Sequence, residues 1–467
     1  MAQIPILNGI YTDSGPDIRV SYPVNMVPVA QTSGVSGGYL RPADGIVAFG
    51  TGPGIDRGAI EWNGVCYRVM GTSLVSVDAA GAVTTLGTIP GADTVSMDYS
   101  FDRLAVAANG GLYYWNGTTL TQVTDPDLGV VLDVIWIDGY FMTTDGENLV
   151  VTELSDPTQV NPLKYGSAEV DPDPVVAVLK LRNEAYAVGR HTIEVFDNIG
   201  GDFFPFARID GAQIPKGAVG THACCVFVNA VAFLGSGRNE APSIYVGANA
   251  TPVKIATREI DQLLATYTEA QLAGSIMEAR VEKGQEQLWL HLPDRTIVYD
   301  AATSRQLQQP VWYTLTSTLA GFEQYVARNL VWAYDKWIVG HPASAALGTL
   351  DSTVSSQYGA TVRWEFGTLV VYNESKGVIF HELELVALTG RVALGVNPQI
   401  STSYSLDGVT WSQDKWITVG SIGDRTKRLC WLQQGFLRNM RMQRFRGDTQ
   451  AHVSFARLEA RLEPLAY

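Results

Sequence analysis

The stretch FDRLAVAANG, residues 101–110, followed by LYYW at 112–115, decides how this chain folds. A polar turn leads into an apolar run, Asn109-Gly110 forms a second turn, and another apolar run ends at Trp115. Asn-Gly pairs supply the positive φ that tight hairpin turns require. The pattern therefore predicts neighbouring strands of an antiparallel sheet.

The pattern recurs along most of the chain. Other copies are WNGVCYRVMG (62–71), IDGYFM (137–142), RNEAYAVG (182–189) and VNAVAFLG (228–235), with looser ones at 285–300 and 335–340. The gaps between the turn residues are 39, 36, 45 and 46 residues, measured from Asn63 to Asp102, Asp138, Asn183 and Asn229. A repeat of roughly 40–50 residues made of short strands is typical of a β-propeller blade. We expect six or seven blades, with closure by an early strand pairing with one near 340–350.

Three regions follow from this pattern, and together they predict an all-β protein. Residues 1–38 are rich in Gly, Pro and Ser, which predicts an extended N-terminal arm whose apolar anchor is YPVNM at 22–26. Residues 39–351 carry the repeats of the propeller. Residues 352–467 contain alternating strands without the blade pattern, which predicts a C-terminal β-sandwich.

A helical insertion interrupts the propeller at 257–281. Ile260, Leu263, Leu264 and Tyr267 follow the spacing of an amphipathic helix. TEAQ at 268–271 reads as a capping box that opens a second short helix, which we expect to carry Leu272 and Ile276.

The composition limits the possible functions. The net charge is −14 and the sequence contains 46 Gly and four Cys without a CxxC pair. An acidic chain is not expected to wrap nucleic acid, because phosphate binding needs clustered Lys and Arg. We expect buried free thiols in a reducing cytoplasm. The N-terminus lacks the pattern of a signal peptide, and no apolar run is long enough to predict membrane insertion.

The search for catalytic chemistry gives no candidate. SLDGVTW at 405–411 resembles the Asp-box of sialidases, which is a structural turn, and it occurs once. GTGPG at 50–54 lacks the spacing of a nucleotide-binding loop, and the six His form no metal-binding motif. We therefore predict no enzyme activity, no catalytic residues, no cofactor and no metal.

One stretch is locally basic within this acidic chain, and it is the candidate partner interface. A cluster of this kind is a possible docking face for an acidic neighbour, or alternatively a solvated strand face. Its seven cationic residues are Arg425, Lys427, Arg428, Arg438, Arg441, Arg444 and Arg446.

Two other function classes stay open at this point. A sugar-binding β-propeller for host-surface recognition would use exposed aromatic residues such as Trp115, Trp312, Trp332 and Trp337. A glycoside hydrolase would need paired carboxylates across a pocket.

Several segments, in order along the chain, carry a family resemblance. They are YPVNM (22–26), GYLRP (38–42), APSIYV (241–246), IDQLL (260–264), YTEAQLA (267–273) and HLPDRTIVYD (291–300). On these segments the chain resembles the packaged-DNA-stabilisation proteins, or tail accessory factors (tail hubs), of short-tailed bacteriophages (podoviruses) of the Salmonella-infecting type. After residue 352, the similarity is limited to the general pattern of alternating strands.

The resemblance implies a structural virion protein with no enzymatic activity. It implies a homo-hexamer that forms a nozzle below the portal and its adaptor, the head-to-tail connector. Such a ring extends the DNA channel, retains the packaged DNA and carries the tail needle and the tailspikes or fibres. It also implies synthesis in the host cytoplasm, location in the virion tail, and non-sequence-specific passage of DNA through the ring.

Overall fold

Seven four- or five-stranded sheets and a two-sheet sandwich make up the computed structural model of the chain. The described residues are 2–7, 9–13, 18–31, 36–168, 170–201, 203–248, 250–374 and 376–465, with the backbone alone described at 10–13 and 18–21. Among them, no helix combines the length and apolar character needed to cross a membrane.

The first six strands lie before the first complete blade. They are β1 (Ala2–Ile4), β2 (Ile10–Asp13), β3 (Ile18–Ser21), β4 (Met26–Ala30), β5 (Gly38–Pro42) and β6 (Gly45–Thr51). Strands β2 and β3 form a hairpin of their own, and β4 pairs with β5.

The next strands form blades 1 to 4, each an antiparallel sheet in sequence order. Blade 1 contains β7 (Asp56–Trp62), β8 (Val65–Met70), β9 (Ser73–Val77) and β10 (Val83–Thr88). Blade 2 contains β11 (Ser96–Tyr99), β12 (Leu104–Ala108), β13 (Gly111–Trp115) and β14 (Leu120–Gln122). Blade 3 contains β15 (Asp133–Ile137), β16 (Tyr140–Thr144), β17 (Asn148–Thr152) and β18 (Val160–Ser167), preceded by a 3-10 helix at Pro126–Leu128. Blade 4 contains β19 (Val175–Leu181), β20 (Glu184–Gly189), β21 (Ile193–Asn198) and β22 (Phe206–Arg208).

Blades 5 to 7 contain the three α-helices found among the described residues, and blade 7 closes the ring. Blade 5 contains β23 (Gly217–Ala218), β24 (Cys224–Phe227), β25 (Ala230–Ser236), β26 (Ser243–Ala248) and β27 (Thr251–Lys254), followed by α1 (Arg258–Leu264) and α2 (Glu269–Ala273). Blade 6 contains β28 (Ile276–Glu282), β29 (Gln285–His291), β30 (Thr296–Asp300), α3 (Ala301–Leu307) and β31 (Trp312–Leu315). Blade 7 contains β32 (Arg328–Ala333), β33 (Lys336–Gly340) and β34 (Ala346–Asp351).

The ring closes by pairing distant parts of the chain. Strand β6 is the fourth strand of blade 7 and pairs antiparallel with β34, with Ile46 opposite Leu350. Seven blades therefore form in the described residues, and the predicted closure by an early strand and one near 340–350 is confirmed.

A separate hydrophobic cluster lies between each pair of neighbouring blades. In β12, for example, Leu104 and Val106 pack toward blade 1, whereas Ala105 and Ala107 pack toward blade 3. Because strand side chains alternate between two faces and both faces are covered, the strand reads as a continuous apolar run. This explains why the repeats lack the alternation of half-exposed strands.

Carboxylates connect the inner strands of several neighbouring blades. Asp98 accepts the backbone N–H of Trp136 at 2.6 Å, and Asp133 accepts that of Val178 at 2.9 Å. Burial raises the pKa of Asp133 to about 6. These acids satisfy backbone donors at the inner edges of the sheets.

A buried ion pair within blade 1 binds Asn329 of blade 7. Arg68 donates to Asp56 at 2.9 Å, and the amide of Asn329 donates to the same carboxylate oxygen at 2.7 Å. A Cβ on Gly340 would lie 2.1 Å from that oxygen, so only glycine fits there.

The predicted helical stripe is confirmed for Ile260 and Leu264, which are buried in α1, and Leu263 also lies in this helix. Tyr267 lies beyond the end of α1, so its predicted place in the helix is wrong. The capping box of α2 is also present at Thr268 and Gln271. Ile276, however, begins strand β28 rather than lying in the second helix. Helix α3 has no counterpart among the sequence predictions; Asp300 caps it by accepting the N–H of Thr303.

The C-terminal strands form two facing sheets. They are β35 (Arg363–Gly367), β36 (Val371–Tyr372), β37 (Val378–Ala387), β38 (Gln399–Ser405), β39 (Lys415–Thr418), β40 (Leu429–Leu432), β41 (Phe436–Leu437), β42 (Met440–Asp448) and β43 (Phe455–Pro464). One sheet has the order β4-β5-β43-β37-β40, with β1 added to β43, and the other has the order β35-β42-β38-β39.

Parts of the N-terminal region belong to the sandwich. Ile4, Met26 and Leu40 are buried in the same core as Phe445 and Phe455. The described part of residues 1–38 thus contains strands that complete a sandwich sheet. The boundaries at residues 38 and 351 stay predictions.

Candidate docking surfaces

The basic stretch Arg425–Arg446 is divided between the surface and the interior of the sandwich. Arg425, Lys427, Arg428 and Arg438 are exposed. Arg428 lies across the edge of the first sheet, donates to Glu384 at 2.8 Å and also contacts Glu382. Four of the seven predicted residues are therefore exposed, and one of them, Arg428, is already paired with two glutamates.

Arg441 lies inside the sandwich. It is 1% exposed, donates to the carbonyl of Gln434 at 2.7 Å and to the amide oxygen of Gln443, and lies between the rings of Phe380 and Tyr404 at 4.3 and 4.1 Å. Burial lowers the pKa of Arg441 to about 10. Its position does not support a direct contact with a partner.

Arg444 and Arg446 are half-buried on the outer face of the second sheet. Arg444 stacks on Trp411 at 4.0 Å, and Arg446 pairs with Asp414. Burial and the neighbouring arginines lower the pKa of Arg444, although Glu365 and Asp414 oppose this effect.

Two further arginines adjoin this face, and sequence reasoning missed both. Arg295 from blade 6 and Arg363 from β35 stack on the ring of Phe322, at 3.7 and 4.9 Å. Arg295, Phe322 and Arg363 are far apart in the sequence, so no local sequence pattern predicts that they form a cluster. It joins the propeller to the sandwich, because Arg363 also donates to the carbonyl of Gly321 at 2.7 Å.

Asn25, in the predicted apolar anchor, holds three parts of the molecule together. Its amide donates to the carbonyls of Thr316 and Arg363 at 3.0 and 2.7 Å, and its side-chain oxygen accepts the N–H of Thr316 at 3.1 Å. The residue is buried and has a φ of 51°. It therefore fixes the N-terminal segment, blade 6 and the sandwich relative to one another.

The residues do not favour a metal centre. Among the described residues, Glu382, Glu384 and Cys430 are close enough to share an ion. Arg428 already compensates both glutamates, and burial raises the pKa of the Cys430 thiol to about 11. A thiol must lose its proton to bind a metal, so this group is a poor site at neutral pH.

The Asp-box resemblance corresponds to a turn. Asp407 accepts the N–H groups of Val409 and Thr410 at 2.9 and 2.7 Å and the hydroxyl of Ser405 at 2.9 Å. These bonds hold the pKa of Asp407 well below its usual range. The carboxylate thus stabilises a loop.

The tryptophans considered for sugar binding do not form one exposed surface. Trp115 and Trp312 are 6% and 2% exposed and pack between blades, so their proposed exposure is wrong. Trp332 is 49% exposed and packs edge-on against half-buried Trp337, with ring centroids 5.6 Å apart. Trp115 and Trp312 are buried because neighbouring blades cover both faces of their strands.

Comparison with known proteins matches both halves of this architecture. A family described as "Bacteriophage P22 Gp10, beta-propeller" matches residues 2–355, and "Bacteriophage P22 Gp10, beta-sandwich" matches residues 363–463. The chain belongs to the bacteriophage P22 Gp10 family. The predicted resemblance to podovirus tail hubs and the predicted fold class are both confirmed.

A curated relative matches over nearly the full length of both chains. "Tail hub protein gp10" of Salmonella phage P22 is 27% identical over 484 residues, covering 99% of this chain and 99% of that protein. Among solved structures, the Neurospora crassa Pan2 WD40 domain is 8% identical, covers 66% of this chain and 96% of its own, and has a TM-score of 0.43. The computationally designed Ika8 protein is 12% identical, covers 75% and 100%, and has a TM-score of 0.41. These two structural likenesses are too weak to support an argument.

Proposed function

We propose that this protein is the structural tail hub of a short-tailed bacteriophage and is located in the virion tail. The observation that carries the proposal is the match of propeller and sandwich, in order and over nearly the whole chain, to the tail hub protein of phage P22. Synthesis in the host cytoplasm and the absence of catalysis are part of the proposal. Three carboxylates support it, because Asp98, Asp133 and Asp56 accept hydrogen bonds from neighbouring blades.

In the tail, six copies form a ring below the portal and adaptor. The ring extends the DNA channel, retains the genome and carries the needle and the tailspikes or fibres. A net charge of −14 on each subunit supports this role, because acidic walls repel DNA phosphates and let the genome slide.

The ring is proposed to form on the portal–adaptor complex rather than in solution. The net charges of six copies repel one another at long range, and a template that brings the copies together offsets this repulsion before complementary patches come into contact. The exposed residues Arg425, Lys427, Arg428 and Arg438 are the proposed contact with an acidic neighbour.

Sedimentation of the purified chain, alone and with portal–adaptor rings, tests templating. We expect a monomer or weak oligomer alone and a sixfold ring by electron microscopy on the complex. A stable hexamer of the isolated chain would contradict templating. A complex that never binds the chain would contradict the tail-hub role.

Reversing exposed charges tests the contact. Arg425→Glu with Arg438→Glu should weaken incorporation into particles and increase its sensitivity to salt, while the melting temperature is unchanged. Arg182→Glu with Lys376→Glu makes the same charge change elsewhere on the surface and is the matched control. Normal incorporation of the first variant would remove the basic stretch from the interface.

A further inference from the structure

The negative charge of this chain is concentrated in one blade. Residues 123–174, which form blade 3 and its connections, contain eleven acidic residues and one lysine. Their formal charge of −10 accounts for most of the total of −14. Asp127, Glu147 and Asp156 are exposed members of this set.

The same blade exposes apolar side chains at its outer edge. In the outermost strand β18, Leu163 is 61% exposed and Tyr165 is 56% exposed. Leu154, in the preceding loop, is 58% exposed. Among the described residues, no strand pairs with the far edge of β18. Exposed edge strands are ready to contact another chain unless they are protected, and β18 carries one charged residue, Lys164.

A cleft of about 680 Å³ lies on the other side of the ring, between the propeller and the sandwich. Its walls come from β5, from the hairpin between β28 and β29, and from the sandwich loops. Val29, Val386 and Leu388 supply apolar surface, and Leu388 is 66% exposed.

The rim of this cleft is positively charged. Lys283 is exposed at the hairpin tip, donates to Ser352 at 2.9 Å and lies 3.5 Å from Glu282. Arg391 is exposed and makes no ion pair with the described residues. Deeper in the cleft, Arg41 and Arg280 share the carboxylate of Asp44. Arg280 and Lys283 both pair with Glu282, so among the described residues of the cleft Arg391 is the cation without an ion pair. The four cations against Asp44 and Glu282 leave a formal charge of +2. An apolar floor beside this positive charge is complementary to an apolar strand flanked by acids.

The two surfaces are placed as a ring of identical subunits requires. Blade 3 is three blades away from blade 6 and three blades away from blade 7, where the cleft lies. A head-to-tail ring needs two different complementary patches on each copy, and patches on opposite sides leave both free at once.

We infer that the cleft between propeller and sandwich receives the outer strand of blade 3 from a second copy of this chain. Leu163 and Tyr165 contact the apolar floor, and the acids around them face Lys283 and Arg391. The inference rests on the proposed ring and names the contact that closes it.

Photo-crosslinking in assembled tails tests this contact. p-Benzoylphenylalanine replaces Leu163, the particles are irradiated, and linked peptides are identified by mass spectrometry. We expect links to peptides containing 385–391 or 452–456. Because the cleft and Leu163 lie on opposite sides of one molecule, such a link joins two copies. The control places the same group at Val253, which is 58% exposed on the outer strand of blade 5, and should give no cleft link.

Charge reversal with rescue provides the second test. Lys283→Glu with Arg391→Glu, or Asp127→Lys with Glu147→Lys, should each lower the protein content of particles about tenfold by placing like charges together. The chain carrying all four changes restores opposite charges and should recover incorporation. All four side chains are exposed, so unchanged melting temperatures verify folding.

The outcomes separate this contact from the tail-hub role. Crosslinks from position 163 to peptides outside the cleft would overturn the contact and leave the hub role intact. The same holds if the fourfold variant is incorporated no better than the two double variants. Particles that never contain the chain would overturn both.

Discussion

Asn25 offers the sharpest test of how the two domains are held together. The substitution Asn25→Ala removes three buried hydrogen bonds, those to the carbonyls of Thr316 and Arg363 and from the N–H of Thr316. At about 1 kcal/mol for each net bond, this costs about 3 kcal/mol. The carbonyl of Thr316 keeps a second donor, Gln357. The largest losses therefore fall on the carbonyl of Arg363 and the N–H of Thr316.

The backbone at this position adds a second cost. With φ at 51°, alanine is disfavoured by roughly 1 kcal/mol relative to glycine. We therefore expect the free energy of unfolding to fall by about 4 kcal/mol for Asn25→Ala and by about 3 kcal/mol for Asn25→Gly. The difference between the two variants measures the backbone term by itself.

Equilibrium denaturation in urea measures these values, and Asn116→Ala is the matched control. The side-chain oxygen of Asn116 accepts bonds from Thr118 and Thr119 at an exposed turn, where water replaces them. We expect a change below about 1 kcal/mol for that variant. If Asn25→Ala were no more destabilising than Asn116→Ala, the idea that this side chain joins the domains would be refuted.

Four other outcomes are expected. Arg441→Glu puts a buried anion between the rings of Phe380 and Tyr404 and should destabilise the protein by about 3–5 kcal/mol in urea denaturation. The same measurement on the exposed Arg425→Glu variant should show a change within about 0.5 kcal/mol. The pKa of Asp133 is about 6 in the folded protein and lower in the unfolded chain, so its stabilising contribution is complete below about pH 4 and is lost as the pH rises through 6. The melting temperature should therefore fall with pH across this range, and that of Asp133→Asn should lack this decrease. An equal decrease in the variant would contradict the assignment. Gly340→Ala forces a methyl group against the carboxylate of Asp56 and should lower the free energy of unfolding by about 1–3 kcal/mol. An unchanged free energy in urea denaturation would show that the contact between blades 7 and 1 relaxes to make room for the methyl group. A chelator should leave the melting temperature of the purified chain unchanged, and a large decrease would reveal a structural ion.

Local spacing in the sequence was sufficient to predict the propeller. Turn residues such as Asn63 and Asp138 have φ values of 52° and 48°, and each is followed by a glycine at positive φ. Such turns, and the apolar runs between them, depend on neighbours within about ten residues. The capping box at Thr268 is equally local, and it too was predicted correctly.

The end of the second helix and the presence of α3 were not predictable in the same way. Ile276 fits a helical stripe by spacing, yet it starts a strand because β28 pairs with β29 across the blade. Helix α3 spans seven residues between two strands, which is too short for a periodic pattern to emerge.

The sequence by itself determined the repeat, the all-β class, the family resemblance and the excess of basic residues between 425 and 446. Tertiary structure decided which of those residues reach the surface, because Arg441 points into the sandwich core while Arg425 does not. It also decided that Asn25 meets Thr316 and Arg363, which are about 300 positions away in the chain. The physical reason is that turn and strand preferences act between near neighbours, whereas burial and docking contacts arise only after ring closure and sheet packing bring distant segments together.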